Sequence, residues 1–206
     1  MPKGSPELTV ERREEIISAC EKLYQTMNFK DITLIEIGKI TSFTRTSIYN
    51  YFNTKEEIFL AMLQKEYELW IEELEKIISD NKKLTKKNFA DLLANSLENR
   101  GQLLKLMSMN HFDMEANSRA ENLTEFKKVY GKSLHTVEKC LEKFFPKMSA
   151  EERENFLYAF FPFVYGIYPY AVVTEKQKCA MKKANVNFKT HSIYELAFNC
   201  ILKLLS

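Results

Sequence analysis

The 206-residue sequence has little that would break or staple a chain: five glycines, five prolines and four cysteines. So few glycines and prolines exclude a collagen-like or low-complexity composition. Cys20, Cys140, Cys179 and Cys200 stand far apart with no CxxC spacing. That pattern points to free thiols in a reducing cytoplasm and away from a disulfide framework. Gly-rich phosphate loops, G-x-S-x-G, H-E-x-x-H and close Cys/His pairs are all missing, so neither an enzyme nor a cofactor is expected. The opening stretch, MPKGSPELTVERREE, lacks an apolar h-region and carries no expected secretory signal. Charge of one sign is also lacking. Thirty basic residues against 28 acidic ones leave +2, a total that does not announce a nucleic-acid binder.

What is present is apolar and periodic. Hydrophobic residues make up 45% of the chain, too many for a disordered one. The 26 aromatics (Phe 15, Tyr 10, Trp 1) exceed an ordinary core's need. Apolar residues recur at spacings of three and four, and alternation never lasts more than a few residues, so the class is all-α. Ile16, Cys20, Leu23, Tyr24 and Met27 stripe a helix over about 9–28. Leu34, Ile37 and Ile40 mark a short helix over 34–41, and Ile48 and Phe52 another over 45–52. A long helix follows from Lys55 to Ser79, with Phe59, Met62, Leu63, Tyr67, Trp70, Leu74 and Ile77 inward. Further helices are expected near 85–98, 101–113, 119–145, 150–172, 175–184 and 190–205. Capping boxes supply start signals at Thr33/Glu36, Thr54/Glu57, Ser118/Glu121, Ser149/Glu152 and Thr174/Gln177.

Residues 156–173 form an uncharged run of 18, the lower bound for a membrane span. Pro162, Gly166 and Pro169 interrupt it. The run is expected to be a helix buried on several faces, with no membrane partner.

The segment Thr33 to Lys55 carries the chemistry. Two short helices separated by Ser42-Phe43-Thr44 have the layout of a helix-turn-helix, whose second helix enters the DNA major groove. Ile48 and Phe52 point inward, leaving Arg45, Thr46, Ser47, Tyr49, Asn50 and Tyr51 as a polar outer surface with no Glu or Lys. Between Ile37 and Lys55 there is no acid, while Lys39, Arg45 and Lys55 are basic. A phosphate-facing surface requires that exclusion.

These features extend to a family pattern. Thr33-Leu34-x-x-Ile37, Ser47-Ile48-Tyr49-x-Tyr51-Phe52 and Lys55-Glu56-Glu57-Ile58-Phe59 resemble the DNA-binding domain of the TetR family of bacterial transcriptional regulators. The resemblance spans residues 10–60, and Tyr49, Phe52 and Lys55 form its most specific part. It implies a DNA-binding domain (1–54), a connecting helix (55–79) and a larger helical ligand-binding and dimerisation domain (80–206). It also implies that Tyr49 and Lys55 hold phosphates of a roughly palindromic double-stranded operator, with Thr33, Thr44 and Tyr51 adding to them. Arg45, Thr46 and Asn50, with Ser47, are then the candidates for reading bases. The family usually has glycine where Ser42 stands, and a side chain in a left-handed turn position would cost energy.

For the larger domain the resemblance implies a homodimer and a small-molecule effector, with repression as the family default. An apolar or aromatic effector would meet Trp70, Met107, His111, Phe126, Tyr130, Phe161 and Tyr165. The dimer would form through Phe156, Phe160, Phe163, Ile193, Leu196, Cys200 and Leu204, on the helices at 150–172 and 190–205. His111 and Glu115 lie four apart with Asp113 nearby, but two ligands on one face do not complete a shell, so no metal is expected. The alternative reading is a helical interaction scaffold or small-molecule-binding protein without DNA function.

Overall fold

A computed structural model of the chain describes residues 5–206, apart from the side chains of Pro6, Arg45, Met109 and Asn110. The described residues form α1 (Pro6–Tyr24), α2 (Leu34–Lys39), α3 (Arg45–Ile48), α4 (Lys55–Asp80) and α5 (Lys86–Glu98). These are followed by α6 (Gly101–Ala116), α7 (Ala120–Phe144), α8 (Ala150–Ala171), α9 (Glu175–Lys183) and α10 (Ile193–Leu204). A single 3-10 turn, Phe29–Asp31, precedes α2. The all-α expectation holds.

Local chemistry sets the helix starts. Ser149/Glu152 and Thr174/Gln177 form complete capping boxes, and Ser192/Glu195 forms a third that the sequence reading did not single out. Thr33 and Thr54 make only the hydroxyl half, because Glu36 turns to Lys39 and Glu57 to the Asn53 amide. The expected Ser118/Glu121 box does not form. The Ser118 hydroxyl instead donates back to the Met114 carbonyl at 2.6 Å, closing the end of α6. α3 is shorter than the expected 45–52: beyond Ile48 the chain tightens, with Asn50 and Tyr51 amides donating three residues back.

The chain divides into two compact units, and the division is not linear in sequence. The first holds the residues up to Lys65 together with Asn110–Val129, and the second holds Glu66–Met109 and Tyr130–Ser206. The core of the first is built from Ile16, Cys20, Tyr24, Ile37, Ile48, Phe52, Phe59 and Phe126, all buried. Leu23 and Met27 are half-buried and Ile40 is exposed, so the α1 and α2 stripes are narrower than expected. Within the first unit α4 buries Glu57, Ile58, Phe59, Leu60, Met62 and Leu63.

In the second unit α10 packs on α5 and α8. Tyr67, Trp70, Leu74, Phe89, Leu93, Phe160, Phe161 and Val164 are buried around them. α8 is buried along one stripe only (Phe156, Phe160, Phe161, Val164 and Ile167), while Tyr158 and Tyr170 are 76% and 66% exposed. The expectation of a helix buried on several faces is corrected accordingly. No single helix among the described residues is long and apolar enough to cross a membrane, and α8 with α9 passes that test only as a pair bent by 83°.

Trp70, the sole tryptophan, donates its indole N–H to Ser96 Oγ at 3.0 Å in the buried interior. Ser96→Ala removes that acceptor and leaves the N–H unsatisfied, so urea unfolding followed by Trp70 fluorescence should show a loss of about 1–3 kcal/mol.

Candidate nucleic-acid interface and effector groove

The candidate DNA surface rests on the first unit's core. With Ile48 and Phe52 inward and fully buried, Thr46, Tyr49 and Asn50 are exposed on the opposite side and Ser47 is half-buried. Thr33 and Thr44 are exposed at the starts of α2 and α3, where each hydroxyl accepts the amide three residues on. The side chain of Arg45 lies outside the described residues.

Two expected contacts are placed differently. Tyr51 is only 6% exposed. Its hydroxyl receives Arg12 Nη1 at 3.2 Å, and its carbonyl receives Arg13 and Arg119 at 3.2 and 3.3 Å. Its ring is therefore part of the support for α3 and not a phosphate contact. Lys55 Nζ donates to the Phe29 carbonyl at 2.7 Å and lies 4.4 Å from that residue's ring centroid. One of its three ammonium donors is engaged, leaving two for a phosphate.

The turn between α2 and α3 needs no left-handed residue at Ser42. Among the described residues other than glycine only Asn185 has a positive φ. The Glu15 carboxylate from α1 instead accepts the Ser42 amide at 2.7 Å and the Ser42 hydroxyl at 3.1 Å. Thr41 Oγ1 accepts the Phe43 amide while donating to the Ile37 carbonyl. Side-chain hydrogen bonds thus take the place of the glycine. The same contact brings an acid in space to a window that is acid-free in sequence.

The sequence marks Glu57 as half of a capping box and as part of the Lys55–Phe59 pattern, with no role for its charge. Its side chain is fully buried, yet it accepts the Asn53 amide at 2.7 Å and the Arg119 amide at 3.1 Å. The Arg119 guanidinium adds bonds of 2.6 and 2.9 Å. Burial opposes ionisation, but Arg119 and the two amides outweigh it and hold the carboxyl below its ordinary range. Beside this cluster Thr54 Oγ1 donates to the Asn117 carbonyl at 3.0 Å. The loop after α3 and the turn before α7 are therefore fastened to one carboxylate.

The residues expected around an effector fall into both units, with His111 and Phe126 in the first and the other five in the second. Phe126, Trp70 and Met107 are core residues whose surfaces neighbouring side chains already cover. That corrects the expectation that they face a ligand. His111 Nε2 lies 3.1 Å from Glu115 Oε1, which also receives Lys127, and burial lowers the imidazole pKa. Among the described residues no three His, Cys, Asp or Glu side chains converge on one point. In the second unit Tyr130, Phe161 and Tyr165 do line an open groove of about 740 Å³ along α7 and α8. Tyr130 stands edge-on to Tyr67 and Phe161 at 5.9 and 6.0 Å, and the Tyr67 hydroxyl donates to that of Tyr165 at 3.3 Å.

Among the expected dimer residues, Phe156 and Phe160 are 2% and 0% exposed within the chain itself. They are core and leave no surface for a partner, which corrects that expectation. Ile193 is nearly buried, while Phe163, Leu196, Cys200 and Leu204 retain part of their surface.

The family model described as the tetracyclin repressor-like C-terminal domain matches residues 64–193, more than half of the chain. The chain belongs to the TetR family of transcriptional regulators. A TetR/AcrR-family regulator from Thermobifida fusca superposes with a TM-score of 0.65 at 15% identity, covering 95% of this chain and 97% of that one. Thermus thermophilus FadR, a TetR-family repressor in complex with lauroyl-CoA, gives 0.58 at 14% identity, covering 94% and 93%. These likenesses show the TetR fold. The HTH-type transcriptional regulator HbdR of Aromatoleum sp. (strain CIB) is 30% identical over 69 residues. That match spans 34% of this chain and 30% of the relative's length.

Removing one partner of the Glu57–Arg119 pair should cost more than removing its charge symmetrically. Arg119→Met leaves the buried carboxylate with only its two amide partners and, because Arg119 is itself partly solvated, is expected to destabilise by about 1–3 kcal/mol, with Glu57→Gln/Arg119→Met milder, as thermal melts can check. Because the folded Glu57 pKa is depressed, the stabilisation is present above the unfolded value of about 4.3 and is lost as pH falls through the folded value. Glu57→Gln should therefore flatten the acid limb of the stability profile.

Proposed function

We propose that this TetR-family chain is a sequence-specific DNA-binding transcriptional regulator. In this reading it is a cytoplasmic homodimeric repressor, released from a roughly palindromic operator by a small apolar or aromatic effector. The observation that carries the reading is the outer side of α3 and its turn, where Thr44, Thr46, Tyr49 and Asn50 are exposed and uncharged over a buried Ile48–Phe52 anchor. Hydroxyls and an amide in that position suit base edges and phosphates. Arg12 beside Tyr51 and Lys55 beside Phe29 add positive charge to the same unit.

Dimerisation is supported by what α8 and α10 leave uncovered. Ala159, Gly166 and Tyr170 are exposed on α8 with Phe163 half-buried between them, and Leu196 and Cys200 are half-buried on α10. A Cβ added at Gly166 would meet nothing within 4 Å. The chain's own packing does not require glycine there, although glycine within a helix costs about 1 kcal/mol relative to alanine. The open space over Gly166 admits the close approach of a second α8. Two-fold symmetry then places two α3 helices on half-sites about 34–36 Å apart.

The effector is assigned to the α7/α8 groove. α4 supplies residues to both units, so a ligand that prefers the non-binding arrangement can shift the population through it.

Selection of genomic fragments by the purified protein, followed by fluorescence anisotropy on the selected site, tests the reading. Asn50→Ala should relax preference at one base pair by about 1–3 kcal/mol. Lys55→Ala should weaken all sequences alike and lower the salt slope by about one. Gly166→Arg should yield a folded monomer by sedimentation, with operator affinity reduced. Absence of DNA retention at low salt overturns the proposal.

A further inference from the structure

The groove along α7 and α8 has a polarity that an apolar effector alone does not account for. Tyr130, Tyr158, Phe161 and Tyr165 supply its rings, Glu138 and Glu154 its charges, and no Lys, Arg or His is among the residues lining it. Glu154 is exposed, and Glu138 has a loose contact with His135 Nδ1 at 3.5 Å. Pro162 has no N–H, so the Tyr158 carbonyl one turn back receives no α-helical hydrogen bond from it. The groove therefore offers aromatic faces, two carboxylates and an additional carbonyl acceptor, beside tyrosine hydroxyls that can donate or accept. An anionic ligand would be repelled, and a neutral one would gain nothing from the two carboxylates. An organic cation with an apolar body is complementary to both the charge and the rings, since its charge pairs with the carboxylates and lies against aromatic faces.

We infer that the α7/α8 groove binds an amphiphilic organic cation, a quaternary ammonium or phosphonium type of molecule with apolar or aromatic substituents. This rests on the reading of the chain as an effector-responsive regulator, and it fixes the charge of the effector. The ammonium or phosphonium centre lies between Glu138 and Glu154, with its substituents on Tyr130, Tyr158 and Tyr165.

Tetraphenylphosphonium and tetraphenylborate carry the same four rings with opposite charge, so the pair isolates the electrostatic claim. Calorimetric titration of the full-length protein should show phosphonium binding, with the borate needing at least about tenfold higher concentration to displace it. Glu138→Gln/Glu154→Gln should lose about tenfold in phosphonium affinity with an unchanged melting temperature, and Tyr158→Ala should weaken both probes. Equal displacement by the borate, undiminished binding to the double Gln variant, or no phosphonium binding each overturns the inference. So does sedimentation showing that Tyr158→Arg separates the dimer while wild type takes up no phosphonium, since a second copy then occupies the groove. DNA retention measured on the same preparation separates the two readings. Protein that retards DNA but takes no phosphonium refutes only the cation site, whereas phosphonium uptake without DNA retention refutes the regulator and leaves the site standing.

Discussion

The Glu57 carboxylate is shielded from water and ionised, a state that survives only because four N–H groups converge on it. Two of those groups are backbone amides, so the carboxylate fixes chain direction as well as charge. One amide belongs to Asn53, on the way out of the candidate recognition helix. The other belongs to Arg119, whose guanidinium continues to the Tyr51 carbonyl. A helix of four residues has no stability of its own. The attitude of α3 is therefore dictated by what grips the chain on either side of it. Glu15 grips the turn before it, and the Glu57–Arg119 cluster grips the loop after it.

Charge in this molecule is organised locally. The total of +2 averages surfaces with opposite purposes. In the first unit α3 itself carries no acid, and the Glu15 and Glu57 carboxylates that flank it are tied to amides or cations. In the second unit two carboxylates line an aromatic groove that has no base among its walls. The same residue type thus acts as a structural bolt at Glu57, as a turn cap at Glu15 and as ligand chemistry at Glu138 and Glu154.

Local signals were legible in the sequence. Spacings of three and four located every long helix, and hydroxyl caps at Thr33, Thr54, Ser149 and Thr174 mark starts that the structure keeps. The inward Ile48 and Phe52 and the outward Thr46 and Asn50 followed from the same periodicity. What escaped was contact across distance: Arg119 meets Glu57 over 62 positions, and Glu15 meets Ser42 over 27, with no local pattern to announce either. Aromatic residues were ambiguous for a different reason. Trp70, Phe126 and Phe161 are chemically alike, and only packing separates a core ring from one that borders a groove. An uncharged run such as that of α8 likewise does not reveal which side is covered.

In α3, alternating duties fall to neighbouring positions. Ile48 and Phe52 hold the helix down and tolerate little change, while Thr46 and Asn50 touch nothing that the fold requires. Substitutions on the outer side can accumulate without a folding penalty. A duplicated copy of such a gene could therefore acquire a new DNA target within a few mutational steps, retaining its architecture while its regulatory address drifts.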